Sequence, residues 1–252
     1  MKQEKITLKN SKNQNIIGVL YKPENRERFP IAIFCHGYRS TKENIKVKPI
    51  AENLVRAGAG LFAFDFSGMG ESEGKFEDTT ISQYIDDLKC AIDRISLTTV
   101  KISVIGSSLG GLIALQEAAK DKRIKSLALI SPVSHFPWGN KEEFSDIGKW
   151  KDKGYAFTNS RRFGKLRINY SFYEDGLKYG DISKYKQIRI PVLIIHGTKD
   201  KAVPIKDSIA ITKLIYNSKL IKIDGADHMY TKPKDFENMV NSAYKFITDV
   251  LA

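Results

Sequence analysis

Five short runs in this chain are dominated by apolar side chains, and all but the third lack alternation: Ile31–Cys35, Leu61–Phe64, Val100–Ile105, Ile124–Ile130 and Pro191–Ile195. A strand with one wet face alternates apolar and polar residues, whereas a strand covered on both faces has no reason to. The runs are also too short to be core helices. All but Ile124–Ile130 are followed by a segment with helical spacing: Lys42–Ala57, Thr80–Ile95, Leu112–Lys120 and Pro204–Ile215, with Asp235–Val250 closing the chain after a further run at Leu220–Ile223. In Thr80–Ile95 the apolar residues Ile81, Ile85, Leu88 and Ile92 fall on one face. Covered strands alternating with amphipathic helices predict an α/β fold with a mostly parallel central sheet and helices on both faces. Ile6–Leu8 and Ile16–Tyr21, separated by Ser11-Lys12-Asn13, read as an antiparallel opening hairpin.

The alternation fails after Ser131-Pro132. The next stretch is crowded with aromatic residues, among them Phe136, Trp138, Phe144, Trp150, Tyr155, Phe163, Tyr170 and Tyr173, and with glycines including Gly139. Partial period-two patterning over Lys165–Tyr173 suggests a small hairpin. The predicted organisation is a core from 1–132, a cap insertion over 133–188 after the sixth strand, and the rest of the core from 189–252.

Composition removes several classes of function. The chain has 252 residues and a formal net charge of +12, which raises the question of nucleic acid. The excess is dispersed, however, and residues 51–140 are slightly acidic. Arg161-Arg162 is the nearest thing to a basic cluster in the middle of the chain, and there is no basic helix or aromatic RNA-binding pattern. No nucleic-acid partner is expected. No run has the length of a membrane span, and Met1-Lys2-Gln3-Glu4-Lys5 leads into alternating residues instead of an apolar leader. Two cysteines, Cys35 and Cys90, form neither a disulfide framework nor a metal site. The expectation is a cytoplasmic protein without metal or cofactor. The sequence leaves the oligomeric state open, a homodimer among the options.

In an open parallel sheet, ligands bind beyond the carboxyl ends of the strands. Reactive residues follow those ends here. His36-Gly37-Tyr38 follows the third strand, Asp65 the fourth, Ser108 lies in Gly106-Ser107-Ser108-Leu109-Gly110, and Asp200 and His228 follow the last two strands. A serine centred in G-x-S-x-G between strand and helix projects its hydroxyl from a sharp turn, with the helix N-terminus aimed at the reacting group. A hydroxyl needs a base to attack a carbonyl at neutral pH, and an imidazole oriented by a carboxylate provides one. Ser108, Asp200 and His228 supply the set in the order Ser…Asp…His. Asp224 and Asp227 are weaker candidates for the acid. His36 and His196 are read as hydrogen-bonded structural histidines, and Asp65 as the organiser of its turn.

With these motifs in view, the chain resembles the α/β-hydrolases over nearly its full length. His36-Gly37 is similar to the family's oxyanion loop, and the resemblance implies that the backbone N–H groups of Tyr38 and Leu109 hold the oxyanion. Asp65-Phe66-Ser67-Gly68-Met69-Gly70-Glu71-Ser72 resembles a family loop that reads D-x-R-G-x-G-x-S, with Ser67 in place of the arginine. Gly197-Thr198-Lys199-Asp200-Lys201-Ala202-Val203-Pro204 resembles the acid loop, and Asp227-His228 the histidine loop. The implied fold is the α/β-hydrolase fold. The implied activity is a serine carboxylesterase acting on small, medium or aromatic acyl groups through an acyl-enzyme.

In position and size the aromatic insertion resembles that of bacterial cinnamoyl/feruloyl esterases, which makes Trp138, Tyr155, Tyr170 and Tyr173 candidates to contact a small-molecule ester. An acyl-thioesterase or monoacylglycerol lipase would use the same triad. A peptidase would need acidic residues such as Glu142, Glu143, Glu174 or Asp175 to bind an amino terminus. A non-catalytic ligand-binding member of the fold would have no need for the intact triad.

Overall fold

The structure is a computed structural model that describes residues 1–24, 26–99, 101–138, 146–160 and 162–251. It opens with strands β1 (Lys2–Lys9) and β2 (Asn15–Lys22), paired antiparallel. The chain continues through β3 (Ile31–Cys35), α1 (Val47–Arg56), β4 (Gly60–Phe64), α2 (Ile81–Ser96), β5 (Ile102–Ser107), α3 (Leu109–Ala118) and β6 (Ile124–Ile130). Next come α4 (Ile147–Lys153), β7 (Tyr155–Ser160), β8 (Gly164–Asn169) and α5 (Ser171–Gly176). The chain closes with β9 (Val192–Gly197), α6 (Ile205–Leu214), β10 (Ser218–Ile223) and α7 (Pro233–Leu251).

Eight strands form one sheet in the order β1-β2-β4-β3-β5-β6-β9-β10. From β4 to β10 every pairing is parallel, so the carboxyl ends of β3, β5, β6, β9 and β10 share one edge. The lack of alternation in the strands has a direct cause, because each strand serves two cores. Ile31, Ile33 and Cys35 of β3 face the layer containing α2 and α3, while Ala32 and Phe34 face the layer containing α1 and α7. The polar residues Ser103 of β5 and Ser126 of β6 are fully buried and satisfy one another, Oγ to Oγ at 2.7 Å. Thr80 caps α2 by accepting from the N–H of Gln83.

Three sequence expectations shift. The helix expected from Lys42 begins only at Val47, because Lys42 is drawn inward to Asp65, whose carboxylate accepts from both its N–H and its Nζ. The strand expected over Val100–Ile105 runs from Ile102 to Ser107, with Val100 outside the described residues, and α3 starts at Leu109 instead of Leu112. The turn between them is therefore Ser108 alone. The pattern over Lys165–Tyr173 is split. β8 pairs antiparallel with β7, but Tyr170 leaves the hairpin and leads into α5. Gly139, Glu142, Glu143, Phe144 and Arg161 lie outside the described residues. Among those described, no helix is long and apolar enough to cross a membrane.

Candidate active site

Ser108 occupies φ 55°, ψ −119°, a conformation that side chains other than glycine rarely adopt. Three backbone hydrogen bonds hold it there. Its N–H donates to Ile130 O at 2.9 Å, and its carbonyl accepts from Gly111 at 2.9 Å and Val133 at 3.1 Å. The end of β6 and the first turn of α3 thus fix the bend from both sides. Leu109 opens α3, so its N–H has no intrahelical acceptor and lies at the positive end of the helix. The turn after β3 sits against the serine. A β-carbon on Gly37 would come 3.1 Å from Ser108 Cβ.

His36 holds that turn from beneath. The N–H of Phe66 donates to His36 Nε2 at 3.1 Å, which assigns the ring proton to Nδ1, where it is donated to Gly37 O at 2.9 Å. Burial lowers the pKa of His36 to about 4, so the imidazole is neutral and structural. Asp65 orders the neighbouring turn, accepting from the N–H groups of Lys42 and Glu71, and it also ion-pairs with Lys42 at 2.6 Å. Ser67, which stands where the family loop has arginine, donates through both N–H and Oγ to buried Asp87. Asn10 and Gln83 add further donors to the same carboxylate.

At the far strand ends the structure brings Asp200 and His228 together. Asp200 Oδ2 accepts from His228 Nδ1 at 2.7 Å, which assigns Nε2 as the basic nitrogen. The other carboxylate oxygen accepts from the N–H groups of Ala202 and Val203, both at 2.9 Å. Burial alone would raise the pKa of this acid. Hydrogen bonds from His196 and His228, with the Val203 N–H, outweigh it and hold Asp200 well below the usual carboxylate range. Among the described residues, no hydrogen bond joins Ser108 Oγ to His228; such contacts commonly tighten only in the substrate complex.

The other acids near the histidine are engaged elsewhere. Asp227 accepts from Met229 and Thr231 within its own turn, and Asp224 accepts from Thr198. His196 is a satisfied core histidine with no exposure, bonded to Ser208 Oγ at 2.6 Å and Val203 O at 3.0 Å. It also lies 3.3 Å from Asp200, a second imidazole on the acid that the sequence reading missed. Lys46 was missed too. It is only 3% exposed, and burial lowers its pKa to about 8 against the pull of Asp200 and Asp227.

The four aromatic candidates separate into groups. Trp138 packs on Tyr38 with ring centroids 5.6 Å apart, beside the turn after β3. Tyr170 and Tyr173 stack on one another, Trp150 meets the first edge-on and the second at a tilt, and Tyr173 reaches Phe136. Tyr155 lies on the hairpin beneath the Arg167 guanidinium. Of the described acids that a peptidase reading would use, Asp175 is already bonded to Ser82 and Lys178, while Glu174 is exposed.

The profile of the family described as serine aminopeptidase, S33 (Hydrolase_4) matches residues 27–171, more than half of the chain. The chain belongs to this family. It is an α/β-hydrolase and a hydrolytic enzyme. Among proteins similar to this α/β-hydrolase is the mitochondrial palmitoyl-protein thioesterase ABHD10 of Bos taurus, 26% identical over 222 residues, which are 84% of this chain and 71% of the relative. Est1E of Butyrivibrio proteoclasticus, solved with ferulic acid bound, superposes with a TM-score of 0.81 at 23% identity, covering 97% of this chain and 98% of that one. Mouse α/β hydrolase domain-containing protein 10 superposes with a TM-score of 0.78 at 22% identity, covering 98% and 99%.

Proposed function

We propose that this α/β-hydrolase cleaves carboxylic esters of small, medium or aromatic acyl groups through an acyl-enzyme on Ser108. One observation carries the reading: the buried Asp200 carboxylate holds His228 by Nδ1, leaving Nε2 as a base on the strand edge where Ser108 is held at positive φ. In the first step His228 Nε2 takes the Ser108 hydroxyl proton as Oγ attacks the carbonyl carbon. The oxyanion is received by the N–H groups of Tyr38 and Leu109, each such donor contributing about 3 kcal/mol to barrier lowering. The proton then passes from His228 to the leaving alcohol as the ester C–O bond breaks. In the second step His228 takes a proton from water, whose oxygen attacks the acyl carbonyl, and returns that proton to Ser108 as the acid departs. Residues 133–188 serve as a cap, and Trp138, Tyr155, Tyr170 and Tyr173 contact the substrate. Trp138 packs edge-on against the ring of Tyr38, whose N–H is assigned to the oxyanion.

The ABHD10 relatives support a second reading, an acyl-thioesterase with the same triad. The engaged Asp175 counts against a peptidase. The unpaired thiols Cys35 and Cys90 support a reducing compartment, in our reading the cytoplasm, although the bovine relative is mitochondrial by name.

The test is kcat/KM across p-nitrophenyl esters of rising acyl length, with methyl ferulate and palmitoyl-CoA alongside, and fluorophosphonate labelling mapped to Ser108. Preference for short acyl groups together with the ferulate supports the esterase. Preference for the long-chain thioester replaces it with the second reading. A chain that neither turns over these substrates nor labels at Ser108 sinks both.

A further inference from the structure

The turn after β3 is built against local preference. Ser40 N–H donates to Gly37 O at 3.2 Å, which makes residues 37–40 a β-turn. Its third position, Arg39, has φ 57°. Turns with positive φ at that position favour glycine or asparagine, and a long side chain there is strained. Such a residue persists where the surroundings over-determine it, and the contacts of Arg39 do so. Its guanidinium packs over the Tyr38 ring at 4.8 Å. It also reaches the β7–β8 hairpin, donating through Nη1 to Thr158 Oγ1 and to Asn159 O. A second arginine crosses the same gap in the opposite direction. Arg162, between β7 and β8, donates through Nη1 to Thr41 Oγ1 at 2.9 Å and through Nη2 to Glu43. Two planar, multi-donor groups therefore join the turn to a hairpin about 120 residues away in sequence.

We propose that the β7–β8 hairpin clamps the oxyanion turn, with Arg39 and Arg162 as positioning residues that fix the Tyr38 N–H. This rests on the proposed role of Tyr38, since without an oxyanion at that turn the clamp has nothing to position. Neither arginine is assigned contact with the reacting atoms. The strain at Arg39 gives the clamp a signature that a purely structural link lacks. Glycine relieves the backbone there but cannot reach Thr158, so stability and turnover are expected to move in opposite directions.

The experiment uses the full chain and the variants Arg39→Gly, Arg39→Lys and Arg162→Ala, with p-nitrophenyl acetate as substrate. Arg39→Gly is expected to lower kcat about tenfold or more, with KM changed less than threefold and Tm equal to or above wild type. Arg39→Lys is expected to recover only part of kcat, because an ammonium cannot span both acceptors and the Tyr38 ring as a guanidinium does. Wild-type kcat in Arg39→Gly, or a loss confined to KM, would overturn the proposal. The clamp is also read without turnover, from amide hydrogen exchange over residues 38–43. Arg162→Ala, which leaves that segment's own sequence intact, is expected to accelerate exchange there, and unchanged exchange would equally overturn it. Fluorophosphonate labelling of the wild type tests the hydrolase assignment alone, so failure of that assignment and failure of the clamp give different results.

Discussion

A β-carbon on Gly110 would lie 2.2 Å from the carbonyl oxygen of Cys35. The first turn of α3 is pressed onto the end of β3, and this contact sets Ser108 and Leu109 against the His36-Gly37 turn. Both partners in the contact are backbone, so neither can step aside by changing a rotamer. Gly110→Ala is expected to destabilise the protein by about 3 kcal/mol or more, and to abolish turnover in whatever fraction remains folded. Urea unfolding measures the first effect, and a midpoint equal to wild type would refute the close approach.

Ser108 combines backbone strain with the proposed role of nucleophile, and substitution separates the two. Ser108→Ala keeps a β-carbon at φ 55° and is expected to lose turnover while holding Tm near wild type. Ser108→Gly also loses turnover but releases about 1–3 kcal/mol of backbone strain, so its Tm should rise. Calorimetry with active-site titration checks both. Residual turnover at about a tenth of wild type in either variant would remove Ser108 as nucleophile.

Much of this architecture was legible because covered strands have no reason to alternate. The runs Ile31–Cys35 and Ile124–Ile130 match the observed strands to the residue, since every position there except Lys125 is buried. The failures lie where distant partners decide. Lys42 leaves the expected helix for a carboxylate 23 residues away, and no local pattern announces that. At the candidate site, the strand-end loops carrying Ser108, Asp200 and His228 could be read in sequence because topology gathers them on one edge. That His196 shares the carboxylate of Asp200 could not, because a histidine inside an apolar strand reads as core. The reach of Arg39 to Thr158 depends on how the insertion folds back, which its aromatic composition does not encode.

Asp200 fixes the tautomer of His228 by accepting the Nδ1 proton. Asparagine in its place can present an amide N–H to that nitrogen, which turns the proton to Nε2 and removes the proposed base. Asp200→Asn is expected to lower kcat by about four orders of magnitude at neutral pH with little change in fold. Steady-state kinetics and near-UV circular dichroism test this together, and a loss smaller than about tenfold would move the acid role elsewhere.

His36 should shape the acid limb of stability. Burial lowers its pKa from the ordinary 6.5 to about 4 in the folded protein. Between those values the unfolded chain binds the extra proton, so stability is present above pH 6.5 and falls as pH drops towards 4. The gap corresponds to roughly 3 kcal/mol. Urea unfolding from pH 7 to pH 4 should show the decline, and it should be shallower in His36→Gln. Parallel pH profiles for the two proteins would show that His36 ionises as freely folded as unfolded.

Lys46 acts at the opposite end of the pH scale. It is 3% exposed, and burial lowers its pKa from 10.5 to about 8, even with Asp200 and Asp227 drawing it back up. From about pH 8 to 10.5 the unfolded chain holds a proton that the folded chain has given up, so this group makes stability rise with pH across that window. Below pH 8 the buried ammonium costs on the order of 3 kcal/mol. Lys46→Met keeps a similar length without the charge, so it should be more stable than wild type at pH 7 by up to that amount. Its advantage should shrink as pH climbs from 8 to 10.5, and level off above 10.5, where the wild-type amine is neutral in both states. Paired denaturant melts at pH 7 and pH 10 decide the matter. A variant less stable at pH 7 would mean that the ammonium is stabilised by the Asp200 side of the site more than burial penalises it.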